Sequence, residues 1–452
     1  NGGDGWEAAV RLKRAGWPVQ IFSMVEPETL TGDAARAARK WDGAAGRLEE
    51  CDPARFDLVL DALFGAGLSR PLDGEPARLA NACNARREQG AVTVSADVPS
   101  GLDGDLARPI GPAFQADLTV TFHRLKPAHL LQPGRAQCGE VVLADIGIPS
   151  GWREAAPPCA QVNGPALWSE AAPDPRAGDH KHSRGRLCVL SGPAGASGAA
   201  RLAGAAGLMG GAGFVTLLCP PGALEEVAAS SRSLVARGFD PAGDFGDILS
   251  EHRAGAAVLG PGAGVADATR ARVLAALKAQ RPVVLDADAL TSFKVDPDAL
   301  FEAVAGSAVL TPHAGEFARL FPDLAGRDDL NKIEITRQAA ARAGAVIVYK
   351  GPDTVIASPE GPVRVNVHAS ARLATAGTGD VLAGLIGALL ANGSDAFDAA
   401  GAAVWLHGEA GIRCGPGATA DTVLERLPAA LSALADRRRR MAALQRIGAA
   451  TG

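Results

Sequence analysis

The residues best suited to do chemistry lie in one short stretch, Leu373-Ala374-Thr375-Ala376-Gly377-Thr378-Gly379-Asp380-Val381-Leu382-Ala383-Gly384-Leu385. A small Gly/Thr loop runs into a single acid and then into an apolar helical run reaching Leu390. Glycine lets the backbone turn sharply and approach a ligand closely. The first turn of the following helix leaves N–H groups without intrahelical partners, and with the helix dipole these form an anion site. An aspartate at that point has two uses. It can cap the helix, or it can accept the proton of a substrate hydroxyl held beside a phosphate. The loop alone leaves both open.

Such a loop needs strands and helices to hold it. The second half of the chain supplies them as a repeated pattern of strand, polar loop and helix. Arg186-Leu187-Cys188-Val189-Leu190 leads into Ser191-Gly192, and a helix follows from Gly198-Ala199. Phe214–Leu218 is a further strand. Ala257–Leu259 runs into Gly260-Pro261-Gly262-Ala263-Gly264, and Val283–Leu285 into Asp286-Ala287-Asp288. Val309-Leu310 runs into Thr311-Pro312-His313-Ala314-Gly315-Glu316, and Ala345–Tyr349 into Lys350-Gly351. Near-continuous apolar runs between helices predict parallel sheets covered on both faces. In such sheets ligands bind beyond the carboxyl ends of the strands.

The first half has the same rhythm. Trp6–Ala15 predicts a helix opened by the Gly-rich segment Asn1-Gly2-Gly3-Asp4-Gly5 and ended by Gly16. Strands are predicted at 19–22, 57–64, 91–96 and 118–122. Asp61, Asp97 and Ser100 fall at or near strand ends, where they can converge with the Asn1–Asp4 loop or simply cap helices and fix turns. A helix after a Gly-rich loop normally has a strand before it. That strand is missing, and the chain opens on Asn1 rather than Met. The expectation is a motif entered at its middle, with an N-terminal address left open.

At 452 residues two or three domains are expected. Residues 150–180 carry Pro157, Pro158, Pro165, Pro173 and Pro175 and predict a linker. The expected division is 1–152, a Pro-rich linker at 153–178, a second domain at 179–428, and an Arg-rich tail at 429–452. Arg437–Arg440 suits either an anionic contact or a solvated face. A formal net charge of −5 gives no global basic field of the kind nucleic-acid binders show. No apolar run approaches the roughly 18 residues of a membrane span. Seven scattered cysteines without a C-x-x-C predict neither a disulfide framework nor a zinc site. A reduced, cytoplasmic protein is expected.

Taken in order, these motifs carry a double resemblance. The first half resembles the NAD(P)HX epimerase domain, through Asn1-Gly2-Gly3-Asp4-Gly5, Asp61-Ala62-Leu63-Phe64-Gly65-Ala66-Gly67 and Asp97-Val98-Pro99-Ser100-Gly101. The second resembles the ADP-dependent NAD(P)HX dehydratase domain, a ribokinase-like fold, through the loops at 260–264, 286–290 and 311–316, Lys350-Gly351-Pro352-Asp353-Thr354, and Gly377-Thr378-Gly379-Asp380. Together they resemble bifunctional NAD(P)H-hydrate repair enzymes. The implied fold is α/β, with two three-layer αβα domains: an N-terminal Rossmann-like sheet and a C-terminal ribokinase-like sheet.

The resemblance also implies roles. In the first domain Asn1, Gly2, Gly3, Asp4, Gly65, Ala66, Gly67, Leu68, Ser69, Arg70, Pro71 and Asp97 would contact the hydrated nucleotide. Asn1, Asp61 and Ser100 would hold a potassium ion, and Asp97 would handle the proton during epimerisation. Lys126 also fits a family-like loop. In the second domain Ala199, Gly264, His313 and Asp380 would contact the hydrate. Lys350, Gly351, Pro352, Asp353, Thr354 and Gly379 would contact the adenine nucleotide, ADP being the co-substrate. Asp286 and Asp288 suit either strand-end caps or Mg²⁺ held near phosphates through water.

Asp380 would be the base that lets the hydrate hydroxyl take a phosphoryl group. The S epimer of NAD(P)HX would then lose phosphate to give NAD(P)H, with AMP as the other product. Departures from the family pattern are Ala66 in place of Thr, Asp105-Leu106-Ala107, and His368-Ala369-Ser370-Ala371-Arg372 before the catalytic loop. With the first strand missing, impaired epimerase activity is expected. Two other readings stand beside this one: a ribokinase-type small-molecule kinase with an appended nucleotide-binding domain, and a non-catalytic nucleotide-sensing module. A homo-oligomer is expected.

Overall fold

Val, Leu and Ile runs bounded by Gly and polar loops become parallel strands in a computed structural model of the chain. It describes residues 2–450 apart from 150, 152–156, 169–170, 172–174 and 176. Asn1, expected to touch both substrate and potassium, therefore lies outside the described residues. The chain divides into two units, residues 1–157 with 329–331, and the remainder from 158 onward.

In the first unit, β1 (Ile21–Ser23) pairs in parallel with β2 (Ala45–Arg47) as a separate two-stranded ladder. The main sheet has the order β3 (Leu58–Asp61), β4 (Val92–Ala96), β7 (Leu118–Phe122), β8 (Glu140–Ala144), all parallel. Between β4 and β7, β5 (Leu102–Asp103) and β6 (Arg108–Pro109) form a short antiparallel pair. The expected strand at 19–22 is thus three residues long and pairs only with β2. The Gly2–Arg14 helix begins at Gly2, so Gly2, Gly3 and Asp4 form its first turn rather than a loop. A Cβ on Gly5 would lie 2.9 Å from Ala62 Cβ, so this helix start approaches the loop after β3.

The second unit holds a ten-stranded sheet. Its strands are β9 (Gln161–Val162), β10 (Arg186–Leu190), β11 (Phe214–Cys219), β12 (Val235–Gly238), β13 (Ala256–Leu259), β14 (Val283–Leu285), β15 (Ala308–Leu310), β16 (Val346–Tyr349), β17 (Thr354–Ala357) and β18 (Val363–Asn366). Their order is β12-β11-β10-β13-β14-β15-β16-β17-β18-β9. Pairing is parallel from β12 to β16, then antiparallel through β17 and β18. The segment expected to be a linker supplies β9, which pairs with β18. Its Trp168 is buried and donates from Nε1 to Asn163 Oδ1 at 2.9 Å. Apolar burial and a ladder partner outweigh the prolines there. Within the expected tail at 429–452, residues 429–450 continue the Ala420–Ala450 helix, and Ala430 and Leu434 are buried.

The core of this unit joins Leu187, Val189, Val258, Val284 and Val309 on the strands to the helices Gly198–Met209, Thr378–Ala391 and Ala396–Ile412. The first two of these helices meet closely: a Cβ on Gly384 would come within 2.0 Å of Ala203 O. That approach lays the Thr378–Ala391 helix against the sheet, with its N-terminus at the strand ends. Among the described residues no helix is long and apolar enough to cross a membrane.

Candidate active sites at the strand ends

In the first unit Asp61 closes β3 and is 3% exposed. Its carboxylate accepts from Ser100 Oγ at 2.6 Å, Ser100 N at 2.8 Å, Ser95 Oγ at 3.0 Å and Leu63 N at 3.3 Å. Burial pushes its pKa up despite these donors. Ser100 Oγ also receives the Phe64 N–H at 2.9 Å and lies 3.3 Å from Phe64 O. Asp61 and Ser100 are therefore brought together as expected. The turn that carries Ser100 needs glycine beside it: Gly101 has φ 97°, and a Cβ there would meet Pro112 O at 2.3 Å.

Asp97 follows β4 in a left-handed conformation, φ 68°. Its Oδ1 accepts from Thr121 Oγ1 at 3.0 Å and forms a close ion pair with Lys126 Nζ, while Ala66 N reaches Oδ2 at 3.4 Å. Burial works to raise this carboxyl. The Lys126 ammonium, the Thr121 hydroxyl and the Ala66 N–H outweigh burial and hold it below the usual range. Behind it, buried His129 accepts the Lys126 N–H at Nδ1 (2.9 Å), which leaves Nε2 to donate to Asp97 O at 2.9 Å. Burial lowers the His129 pKa to about 4, so the ring stays neutral. Gly65, Gly67, Leu68, Ser69 and Arg70 line a cavity of about 340 Å³ with Phe64. Pro71 borders a second, of about 240 Å³, that shares Leu68 and Arg70. The expected substrate loop is thus a cavity wall tied through Ala66 to Asp97. Ser95, Thr121 and His129 were not singled out from the sequence; each is an ordinary-looking residue made special by its strand or loop partner.

In the second unit the loops after β14 and β16 lie against the N-terminus of the Thr378–Ala391 helix, and those after β13 and β15 are hydrogen-bonded to them. Asp286 directly follows β14, is 2% exposed, and accepts from Lys350 Nζ at 2.7 Å. Asp288 Oδ2 accepts from Gly264 N at 2.8 Å, which joins two of the expected loops. A Cβ on Gly379 would lie 3.4 Å from Lys350 Nζ and 3.7 Å from Asp286 Oδ2. Gly260 has φ 123°, and its Cβ would overlap Asp286 O at 1.7 Å. Only glycine lets these strand ends close together. Ala199 borders the same loop, 3.5 Å from a Cβ placed on Gly262.

The N-cap of the Thr378–Ala391 helix is Gly377, φ 87°, and Asp380 is its third residue. Asp380 is therefore not the cap, which removes the plainest structural use for it. Burial, and then the neighbouring Asp286 charge, push its pKa up to about 6, against an opposing pull from Lys350. Lys350 is itself desolvated, yet Asp286, Glu316 and Asp380 keep it firmly charged.

His313 caps the Ala314–Leu320 helix. Its Nδ1 accepts from Gly315 N at 2.9 Å, and Glu316 Oε2 accepts the His313 N–H at 2.9 Å. The cap fixes the tautomer and leaves Nε2 as the donor, 3.4 Å from Glu316 Oε1. Thr354 Oγ1 donates to Gly351 O at 3.0 Å and closes the Lys350–Thr354 loop. Asp353 is buried in an ion pair with Lys332, 2.7 Å, a residue the sequence did not bring forward. The departing segment before the Gly377–Asp380 loop is also held: His368 stacks on Trp405 with ring centroids 4.7 Å apart and bonds Glu409 Oε2 at 2.7 Å. His407 is buried next to the Thr378 main chain. Burial lowers its pKa to about 4, although the Thr378 main chain pulls the other way.

Comparison with known proteins agrees with this double layout. Residues 187–431 match the family model described as NAD(P)H-hydrate dehydratase, and residues 1–128 match that described as YjeF-related protein N-terminus. The bifunctional NAD(P)H-hydrate repair enzyme of Moorella thermoacetica is 37% identical over 432 residues, covering 91% of this chain and 81% of the relative. That of Mycobacterium leprae is 36% identical over 449 residues, covering 96% and 87%. The crystal structure of ADP/ATP-dependent NAD(P)H-hydrate dehydratase from Bacillus subtilis, co-crystallised with ATP/Mg²⁺, superposes with a TM-score of 0.55. It shares 27% identity and covers 61% of this chain and 99% of that one. The chain belongs to the family of bifunctional NAD(P)H-hydrate repair enzymes.

Proposed function

We propose that the chain repairs hydrated nicotinamide nucleotides in two steps, one per unit. The second unit is the NAD(P)H-hydrate dehydratase and the first the NAD(P)H-hydrate epimerase. The observation that carries the dehydratase reading is the placement of Asp380. It is a half-buried carboxylate in the first turn of a helix, beside Lys350 and Asp286, with no capping duty to explain it.

The chemistry follows from that placement. Hydroxide leaves a hydrated ring poorly, so the hydroxyl must become a better leaving group. Asp380 removes its proton while the oxygen attacks the terminal phosphorus of ADP, giving AMP and a phosphorylated hydrate. The ring nitrogen lone pair then expels inorganic phosphate, and loss of a ring proton restores NAD(P)H. Helix amides at 378–380 and the Lys350 charge stabilise the phosphoryl oxygens. Asp286 and Asp288 suit a divalent ion held through water, because Asp286 is already committed to Lys350. Such an ion would neutralise phosphate charge. Lys350, Gly351, Pro352, Thr354 and Gly379 are the nucleotide contacts in this reading, and Ala199, Gly264 and His313 the hydrate contacts. The S epimer and ADP are the preferred pair.

In the first unit the residues fit a hard monovalent cation. Asp61 Oδ1 and Phe64 O lie 2.6 and 3.3 Å from Ser100 Oγ, so three oxygen donors are gathered at one point. Potassium there would supply a fixed positive charge beside the substrate. Epimerisation exchanges water between the two faces of the hydrated carbon. A proton goes to the departing hydroxyl and another comes from the incoming water, and the Asp97–Lys126 pair moves both. Seven unpaired cysteines support a reducing, cytoplasmic setting. A homo-oligomer remains part of the proposal, and light scattering tests it.

The deciding experiment incubates the protein with mixed NADHX epimers and ADP or ATP and follows NADH absorbance. Nucleotide-dependent recovery of NADH with release of inorganic phosphate is expected, the R epimer being recovered more slowly than the S epimer because impaired epimerase activity is expected. A stable phosphorylated product would instead identify a kinase.

A further inference from the structure

The β16–β17 hairpin carries the nucleotide loop, and the mechanism above leaves two of its polar contacts without a use. Lys332 opens the Lys332–Ala343 helix. Its Nζ donates to Asp353 Oδ1 at 2.7 Å and to Asp353 O at 3.1 Å. The same ammonium stands 4.4 Å from the centroid of the Tyr349 ring. A Cβ on Gly351 would lie 2.8 Å from it. One charge therefore touches the loop at its start, its middle and its end. On the other side Tyr349 stacks on Phe317 with centroids 4.2 Å apart and planes 2° from parallel. Phe317 belongs to the helix that His313 caps.

An ion pair this buried is a poor device for stability alone, since desolving both charges offsets their attraction. Its geometry fixes one arrangement of the loop backbone. We infer that Lys332 is a positioning residue for the adenine nucleotide: through Asp353, Gly351 and Tyr349 it presets the 350–354 loop to receive the phosphates and adenosine. Asp353 then acts by holding the loop and makes no direct nucleotide contact, which revises the role expected for it. The inference rests on the dehydratase reading, but its test is separable from that reading.

K332M and D353N are each expected to raise the KM for ADP about tenfold, with kcat at saturating ADP and the KM for the hydrate within about twofold of wild type. The double variant should be no worse than either single one, because both remove the same clamp. K332R, which keeps a charge, should fall between. Tyr349 is the chain's single tyrosine. With 3-fluorotyrosine incorporated, the protein should give one fluorine resonance that moves on adding ADP, and K332M should shift it before any ADP is added. Unchanged ADP dependence in folded K332M, or equal loss for both substrates, would overturn the inference. So would additive losses in the double variant. If K332M does not fold, the same readouts on D353N and K332R decide. If wild-type protein recovers no NADH, the functional reading fails, while equilibrium binding of ADP to wild type against K332M still tests the clamp.

Discussion

Asp97 follows the parallel strand β4 and Asp380 lies in the first turn of a helix, and their surroundings push these two acids in opposite directions. Asp97 is strained into φ 68°, ion-paired to Lys126 and held below the usual carboxylate range. Asp380 sits in an unstrained first helical turn, near another acid, and its pKa rises to about 6. Burial acts on both; the difference is whether a cation is in contact. A carboxylate locked to an ammonium is a poor base by itself and works as half of a pair. A carboxylate poised near neutrality can take a proton outright. In the proposed mechanism one chain thus uses the same residue type for shared and for solitary proton transfer.

The largest test of this contrast is D380N. It should lower the dehydratase kcat by about a thousandfold, leave epimerisation intact, and still bind ADP; steady-state rates and ADP titration measure all three. Next, K126M should slow epimerisation by about a hundredfold, read by the rate at which the R epimer becomes available for dehydration. If D97N and K126M gave unlike losses, the shared-pair idea would fail. The pH profiles should differ as well. Dehydratase kcat should fall on the acid side with a midpoint about 6, because Asp380 must be ionised. Epimerisation should show no fall there from Asp97, whose ionised form persists to lower pH. The smallest effect concerns stability. A folded-state pKa raised from 3.8 means the folded protein binds an extra proton between that value and about 6. Stability from this group therefore declines as pH rises through the window. D380N should be more stable than wild type at pH 8, by about 1–2 kcal/mol, in chemical denaturation.

Much of this was legible in the residues themselves. Apolar runs followed by Gly, Asp or Lys marked the ends of β3, β4, β13, β14 and β16, and the structure puts Asp61, Ser100, Asp286 and Lys350 at or just beyond those ends, with Asp380 in the first turn of a helix. Gly260 and Gly377 were recognisable because positive φ and close approach both demand glycine. What stayed hidden depends on long-range partners. Lys332 lies 21 residues from Asp353, and nothing local marks it. His129 gains its role only because Asp97 turns its carbonyl toward it. Proline density misled at 153–178, because a two-residue strand and a buried tryptophan carry too little periodicity to outweigh it. His313 was read as a ligand contact; the structure shows it capping a helix through Nδ1, and the ligand contact stays part of the proposal.

The reversal of strand direction at β16–β17 has one more consequence. A connection between parallel strands needs a dozen or more residues, whereas antiparallel neighbours can be joined by a few. Here four residues, 350–353, suffice. The loop proposed to hold the nucleotide is thus a short, stiff connection, and ordering it on binding would forfeit little conformational freedom. Length should therefore matter more than composition at this turn. An inserted residue would loosen grip on the nucleotide more than most substitutions on its outer face.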